Sequence, residues 1–532
     1  MPVHLTYKPI RAPRGHGQML LEPPAEKIGQ LLEQNRSDGR NAAYDVQGLS
    51  LAELRAEARR SLLQDARQYT SAYRDVAATA GEDGPILLAG HQPQLFHPGV
   101  WFKNFALSAL ACRHGGQAVN LLIDNDILRN PSIRVPGGSS AEPQVASLPL
   151  DRVVEAIPFE QREIADAELF GSFAERVRAA SGDVLPQPLI GEYWQLVLEA
   201  RRRSPNLGRC LAEARHRLEG RWGQNTWEVP LSTVCQAPSF ARFACHLLAH
   251  LPRFREIHNA SLREYRRVNH VRSRSHPVPD LERDGAWQEA PFWLWSDAAP
   301  ARKRAFVHPG RDGLELTDRG TIRVQLPLKA RGDATQAVEA LTALGRQGIK
   351  LRPRALATTM YARLVLSDLF LHGIGGAKYD QLTDLILARF FGLPPPGFVT
   401  LSATVLLFED RTRELEQAIR DGKQLLRELQ FHPERHLTPE AGLDAWIAEK
   451  QAWIARDLPR GRRLVRHQEI QRLNAQLSSA LEDRRAETEA QLTRWTAEFR
   501  RQAQLASREF AFCLFSEKIL RPLLLDLSRG TI

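Results

Sequence analysis

Four polar side chains, His91, Gln92, Gln94 and His97, crowd the segment between Gly90 and Pro98, and Asp124-Asn125-Asp126 follows a later apolar run. Imidazoles at such a loop can carry a proton or a positive charge to an anion, and the carboxamides can orient it. Asp124 and Asp126 could orient an amine, hold Mg²⁺ or act as a general base. A third cluster, Gly373-Ile374-Gly375-Gly376-Ala377-Lys378, offers flexible backbone and one cation, as a phosphate cradle would. Each cluster also has a plain structural use. The histidines could cap a helix, Asp124 or Asn125 could close an Asx turn, and the glycines could cap a buried helix.

The elements that must position these residues are legible around them. Pro85-Ile86-Leu87-Leu88-Ala89 is a short apolar run between Gly84 and Gly90, as a strand covered on both faces would be. Gly90 lets the chain turn, and Trp101 to Ala111 resumes helical periodicity. Val119 to Ile123 forms a second apolar run that ends at Asp124. Two parallel strands joined by a helix form a right-handed unit, and such sheets bind ligands at their carboxyl edge. The His/Gln loop and the Asp-Asn-Asp turn are therefore expected to face one pocket.

Along the rest of the chain, residues 1–80 are expected to form an N-terminal helical segment, with Ser50-Leu51-Ala52-Glu53 as a capping box. Residues 81–400 form the α/β core with helical and β insertions at about 140–340. Within these, Pro131 to Leu150 reads as a loop, and Pro188-Leu189-Ile190 and Trp227 to Ser232 as strands. Ser239 to Tyr265 reads as a helix, and the runs from Ala290, Arg304 and Thr321 as a small β sheet. A further helix is expected over Gln381 to Phe391. Between Leu415 and Phe510, within residues 401–510, there is almost no strand signal, and Leu415, Ile419, Leu426 and Leu429 are matched by Leu477, Leu481, Leu492, Trp495 and Phe499. Two long helices returning on each other predict an antiparallel coiled coil, with 511–532 returning to the core.

Residues 89 to 111, AGHQPQLFHPGVWFKNFALSALA, carry a resemblance. They are similar to a motif of the bacillithiol biosynthesis cysteine-adding enzyme family, roughly Gly-Gln-Gln-x-x-Leu-Phe-x-Gly-Pro before a helix. Asp124-Asn125-Asp126 falls where that family carries Glu-Asp-His-Asp. Residues 369 to 407 resemble its Gly-Gly segment, its Phe-Gly-x-Pro-x-Pro turn and the start of its coiled coil. Departures are local: His91 replaces a Gln, Pro98-Gly99 inverts Gly-Pro, and Phe105 stands where a Lys is expected, with Lys103 nearby. The resemblance implies a Rossmann-like parallel-sheet core with a C-terminal antiparallel coiled coil that builds a homodimer. It implies a ligase that joins cysteine, or a similar amino acid, to an amino sugar such as glucosaminyl malate. Asp124, Asp126 and His91 would be catalytic. Gln92, Gln94, His97, Lys103, Asn125, Gly375, Gly376 and Lys378 would bind substrate. A carboxylate is a poor electrophile, so ATP or another nucleotide with Mg²⁺ is the expected activating donor. A nucleotidyl-transfer or adenylate-forming enzyme of the HxGH group, or a non-catalytic dimeric scaffold, are the alternatives.

Composition narrows the class. At 532 residues, 43% hydrophobic and 25% charged, the chain is an ordinary globular protein of more than one structural unit. No long apolar stretch or signal-type leader is evident, which predicts a cytoplasmic protein without membrane spans. Five scattered cysteines with no CxxC pair argue against a disulfide framework or structural zinc. His246 and His250, i and i+4 beside Cys245, share a helical face but lack a completing ligand, so no metal site is expected. Trp287, Trp293 and Trp295 alternate as a core strand would, or could line a sugar or adenine pocket. The net charge of +10 invites a nucleic-acid reading, but Arg is interspersed with Glu and Asp, as on a solvated surface. Only the stretch with Tyr265, Arg266, Arg267, His270, Arg272 and Arg274 keeps an anionic ligand in view.

Overall fold

In the computed structural model, the described residues are 5–7, 9–77, 81, 84–138, 143–273, 275–438 and 443–532. The chain divides into two compact units, one comprising Met1–Gly137, Ala146–Val405 and Arg508–Ile532, the other Gly138–Val145 and Leu406–Ser507. The protein is of mixed α/β class.

The first unit is built on a six-stranded sheet. Its order is Gln18–Glu22, Phe398–Thr404, Leu369–His372, Ile86–His91, Gln117–Leu122 and Trp227–Pro230. The last five strands run parallel, and Gln18–Glu22 pairs antiparallel at one edge. Ile86, Leu87, Leu88 and Ala89 are all buried, as a parallel strand covered on both faces requires. From Ile86–His91 the chain steps outward to Gln117–Leu122 and Trp227–Pro230. The strands that come last, Leu369–His372 and Phe398–Thr404, lie on the opposite side. Strand order thus reverses between Ile86–His91 and Leu369–His372, and helices leaving these two strands diverge and open a crevice at the carboxyl edge.

Helices cover this sheet. Leu51–Ser71 carries the expected capping box: Ser50 Oγ accepts the Glu53 N–H at 3.2 Å, and Glu53 accepts the Ser50 N–H at 3.1 Å. Pro98–Arg113 is buried on nearly every face, including Trp101, Phe102, Phe105, Leu107 and Leu110. A Cβ at Gly99 would lie 2.0 Å from the Ala403 carbonyl oxygen, so glycine lets this helix start directly against the Phe398–Thr404 strand. The C-terminal helix Glu517–Arg529 packs on Pro98–Arg113.

A second, antiparallel sheet in the same unit contains Ile349–Pro353, Trp287–Ser296, Ala299–Pro309, Leu314–Thr317 and Arg323–Leu326. Four expectations from the sequence change. Pro131 to Leu150 contains two paired strands, Ser132–Gly138 and Pro143–Pro149, where buried Ile133 and Val135 flank exposed Arg134. Pro188-Leu189-Ile190 leads into the helix Ile190–Arg201 instead of forming a strand. The helix expected over Ser239 to Tyr265 is two helices, Pro238–Ala249 and Leu251–Val268, with Pro252 in the first turn of the second. The helix expected from Gln381 starts at Ile374, so the glycine cluster is its first turn.

In the second unit, Thr412–Phe431 packs against Glu482–Leu505. Leu415, Gly422 and Leu429 are buried along one seam, and a Cβ at Gly422 would lie 3.1 Å from Leu492 and 3.2 Å from Trp495. Ser478 Oγ donates to the Leu429 carbonyl at 2.9 Å, so the chain returns alongside itself in the opposite sense. Two uninterrupted helices are not what forms. The return breaks near Ala480, between Arg463–Ser479 and Glu482–Leu505, and the connecting segment carries the helix Asp444–Ala455. Among the described residues no helix is long and apolar enough to cross a membrane.

The two central strands of the core sheet are clamped at their amino ends by Asp368. Its N–H donates to the Ile86 carbonyl at 2.9 Å, and its Oδ2 accepts the Ile86 N–H at 2.9 Å. Arg59 donates to both carboxylate oxygens, at 2.6 and 2.5 Å, and Arg55 to Oδ1 at 3.3 Å. Burial alone would raise this carboxyl, but the arginines and the Ile86 N–H outweigh it and hold it below its usual range. Asp368→Ala leaves two arginines facing an empty acceptor and is expected to cost about 3–5 kcal/mol by chemical denaturation. A loss under about 1 kcal/mol would deny the clamp that role.

Candidate functional site

A cleft of about 1010 Å³ opens at the carboxyl ends of the two central strands, where strand order reverses. Gly90, His91 and Gln92 line it from the end of one strand, and His372, Gly373, Ile374, Gly375 and Gly376 from the other. Both helices that leave these strands present their first turns to it. The N-terminal N–H groups of the Ile374–Ile386 helix have no side-chain cap.

Most residues anticipated from the sequence come together here: His91, Gln92, His97, Lys103, Asn125, Asp126, Gly375, Gly376 and Lys378 all line the cleft. Asp124 and Gln94 do not. Asp124 is buried and accepts Ser232 N–H at 2.9 Å and the Ser232 hydroxyl, which ties the strand end to Leu231–Val234. Burial, reinforced by Glu160, pushes its carboxyl up to about 7. Gln94 closes the turn through its N–H to the Gln92 carbonyl at 2.9 Å.

Asp126 is the carboxylate that reaches the cleft from this turn. Its Oδ2 accepts Gln92 Nε2 at 2.9 Å, and its Oδ1 accepts Ile127 N–H at 2.8 Å and faces Arg302 Nη2 at 3.2 Å. Arg302 also donates to the Asn125 carbonyl at 2.7 Å, and the Asn125 amide donates to the Pro353 carbonyl at 2.8 Å. With both oxygens engaged, Asp126 is an anchor for this network. The Trp293 ring lies beside it, with the guanidiniums of Arg302 and Arg354 each 4.8 Å from its centroid. Such stacking holds the two cations at the wall of the cleft.

The two loop histidines are neutral near pH 7. Burial, reinforced by the Lys103 charge, lowers His91 to about 3, and burial lowers His97 to about 4. His97 caps the Pro98–Arg113 helix, its Nδ1 accepting the Gly99 N–H at 3.1 Å. Neither imidazole therefore brings a positive charge to the site. That charge comes from elsewhere. Lining residues include Arg11, Lys103, Arg302, Arg354, Lys378 and Arg508 against the two acids Asp126 and Glu509. Lys103 is buried, donates to the Gly90 carbonyl, and has no carboxylate partner among the described residues. Burial, reinforced by Arg215, lowers its amine to about 7.

Sequence reasoning did not single out His372, His258, Arg302, Arg354, Arg508 or Glu509. His372 ends a short apolar strand as His91 does, with a glycine beside it (Gly373 after His372, Gly90 before His91), so looking for that pattern twice would have found it. Arg302 arrives from the second sheet, Arg354 from the residue that follows its strand Ile349–Pro353, and Arg508 from the turn after Glu482–Leu505, and none of them leaves a local signal. Within the basic stretch, Arg266 is structural: it pairs with Asp280 at 2.7 Å and donates to the His276 and Val278 carbonyls. Arg274 lies outside the described residues. His246 packs in the core, bonded to Tyr44 at 2.8 Å, and Trp295 is buried.

His216, Glu219 and Glu228 converge closely enough to suggest a metal group, all three buried. Arg215 donates to Glu219 at 2.6 Å and also to Glu228, and His216 is spent between Thr226 at 2.8 Å and Tyr73 at 2.7 Å. Trp101 and Asn104 donate to Glu219 as well, at 2.6 and 2.7 Å. The cluster is an ion network that ties Pro98–Arg113 to the sheet. No protein-family model matches the chain, and no curated protein matches it.

The Lys103 amine sheds its proton at a lower pH in the folded state than its ordinary value of 10.5. Its burial penalty is therefore full below about pH 7 and is relieved as pH rises toward the unfolded value. Lys103→Met is expected to raise Tm at pH 6, with the advantage shrinking by pH 9. An advantage equal at both pH values would contradict a buried ammonium.

Proposed function

We propose that the first unit is an enzyme domain whose cleft joins a small amino acid carboxylate to an amine as an amide. The reading takes the unit as Rossmann-like and related to the cysteine-adding enzymes of bacillithiol biosynthesis. Cysteine is then the carboxylate donor and an amino sugar such as glucosaminyl malate the acceptor. One observation carries it: a cleft at the reversal of strand order, with six cationic side chains against two acidic ones and an uncapped helix N-terminus. Such a site favours carboxylate and phosphate groups. Cysteine, the malate moiety and a nucleotide are all anionic. The sequence motif supplies the choice among anions.

In this reading Lys103, Arg302, Arg354 and Lys378 hold carboxylate and phosphate oxygens, and the Gly375-Gly376 turn brings backbone N–H groups to the same place. Gln92 and Asn125 fix the Asp126 and Arg302 pair. An ATP-type donor would supply phosphoryl or adenylyl activation and bring its own Mg²⁺. The lining carboxylates are Asp126, whose oxygens are taken, and Glu509, so the protein offers no cage for that ion. The second unit, with its antiparallel helices, is read as a coiled-coil arm that pairs two copies. Phe431, Ile454, Leu464 and Val465, each about half exposed or more (45–66%), supply apolar area for such pairing.

A thermal-shift series with cysteine, glucosaminyl malate, ATP and ADP tests the proposal, since a ligand that binds only the folded state raises Tm. Stabilisation by cysteine or glucosaminyl malate that is lost in Arg302→Ala is the expected result. A response to nucleotide alone would favour an adenylate-forming enzyme. No response to any of the four would sink the ligase reading and favour a scaffold.

A further inference from the structure

Four histidines line the cleft, and they differ in what they can do with a proton. His91 donates Nδ1–H to the Gln92 carbonyl at 3.1 Å and sits near Lys103, so an imidazolium there meets burial and a like charge. His97 caps a helix, with Glu509 3.7 Å from its Nε2. His258 is buried beside Asn259, at 2.9 Å, and burial lowers it to about 4. His372 alone among them bonds a carboxylate within hydrogen-bond distance, Nε2 to Asp380 Oδ2 at 2.8 Å.

That carboxylate is fixed and ionised. Arg363 Nη1 donates to the same Oδ2 at 2.5 Å, and Arg363 Nη2 donates to Asp384 at 2.6 Å. Burial would raise the Asp380 carboxyl, but the Arg363 charge, with His372 and Thr383, outweighs it and holds it well below the usual range. An ionised carboxylate only accepts, so Nε2 carries a proton, and in the neutral ring Nδ1 is then the nitrogen with the lone pair. Nδ1 has no hydrogen-bond partner among the described residues. It faces the first turn of the Ile374–Ile386 helix, where a Cβ at Gly376 would lie 2.5 Å away. Glycine at 376 keeps that nitrogen uncovered.

We infer that His372 is the general base of the cleft, its Nδ1 removing a proton from the attacking amine while Asp380 and Arg363 hold the ring in the tautomer that leaves Nδ1 free. The inference rests on the reading of the cleft as an active site. As the amine nitrogen bonds to the activated acyl carbon, the bond from that carbon to the phosphate oxygen breaks and the phosphate leaves with the electron pair. The surplus proton on nitrogen passes to Nδ1, and the resulting imidazolium faces Asp380. His372 is the catalytic residue, and Asp380 and Arg363 are positioning residues.

Two measurements on the full chain separate this proposal from the choice of substrates. Diethyl pyrocarbonate modifies unprotonated imidazole nitrogens, and peptide mass spectrometry locates the adduct. Labelling of His372 in the folded wild type is expected, with a loss of at least about tenfold in rate in Gly376→Ala, whose methyl would cover Nδ1. Labelling of exposed His467 with His372 untouched would overturn the inference. In turnover with ATP, cysteine and glucosaminyl malate, His372→Gln should lower kcat about 10²- to 10⁴-fold with KM little changed. Asp380→Asn should lower kcat in the same direction, because an amide can donate to Nε2 and reverse the tautomer. Unchanged kcat in His372→Gln would also overturn it. If the wild type turns over none of these substrates while His372 labels as expected, the ligase reading falls and the role toward an amine falls with it, leaving only an accessible Nδ1.

Discussion

The register between two parallel strands, Ile86–His91 and Leu369–His372, is the constraint on which the cleft depends. Leu369 pairs with Leu87, Phe370 with Leu88 and Leu371 with Ala89. Side chains alternate along a strand, so a slip of one residue would turn His372 away from the edge and bury a different face. Hydrophobic burial alone selects this register weakly, because both faces of these strands are covered and the runs are uniformly apolar. Asp368 supplies the discrimination. Its reciprocal hydrogen bonds with Ile86 fix one amide opposite another, and its carboxylate must meet Arg55 and Arg59 on the helix Leu51–Ser71. A buried carboxylate shifted by one residue would lose those partners, which makes the slipped register costly.

Charge is handled differently below the cleft and inside it. Beneath it, Arg215 is balanced by Glu219 and Glu228, and Arg363 by Asp380 and Asp384. Those networks pair each arginine with two carboxylates, and they anchor the helices whose first turns line the cleft. At the wall the pairing is incomplete. Among the described residues, Lys103 has a carbonyl but no carboxylate partner, and Arg302, although paired to Asp126 through Nη2, has no partner for its Nε. Leaving such groups unpaired destabilises the folded protein, and an entering anion offsets that cost directly. The incomplete pairing of Lys103 and Arg302 at the wall is what the proposal of an anionic ligand rests on.

The strand, loop and helix around residue 91, the Gln117–Leu122 strand and the capping box at Ser50 were legible because each is encoded in neighbouring residues. Periodicity, a bounding glycine or a cap identifies them without reference to the rest of the chain. What could not be read is long-range. Arg302 and Arg354 reach the cleft from the second sheet, more than 170 positions from the Asn125 carbonyl that Arg302 binds (the separation is 177). No window of sequence contains both. Asp124 and Asp126 show the limit in the other direction. They are two residues apart and chemically identical, yet Ser232 draws one inward and Gln92 and Arg302 hold the other at the cleft. The partner, which the local pattern does not reveal, decides the role.

Gly99 and Gly376 show how the backbone completes what the side chains begin. Each sits in the first turn of a helix that follows a central strand, and each lacks space for a Cβ, at Gly99 because of a carbonyl and at Gly376 because of an imidazole. The first glycine brings the Pro98–Arg113 helix onto the sheet, which carries Lys103 inward to the Gly90 carbonyl. The second lets His372 lie over the start of its own helix without displacing it. Each close approach is possible only for glycine, so Gly376, part of what looks like a flexible phosphate cradle in the sequence, is a fixed point in the fold, as Gly99 is. Their freedom of conformation matters less than their small size. An alanine at either position would alter the cleft, and at Gly99 it would also push the buried helix and the Ala403 backbone apart.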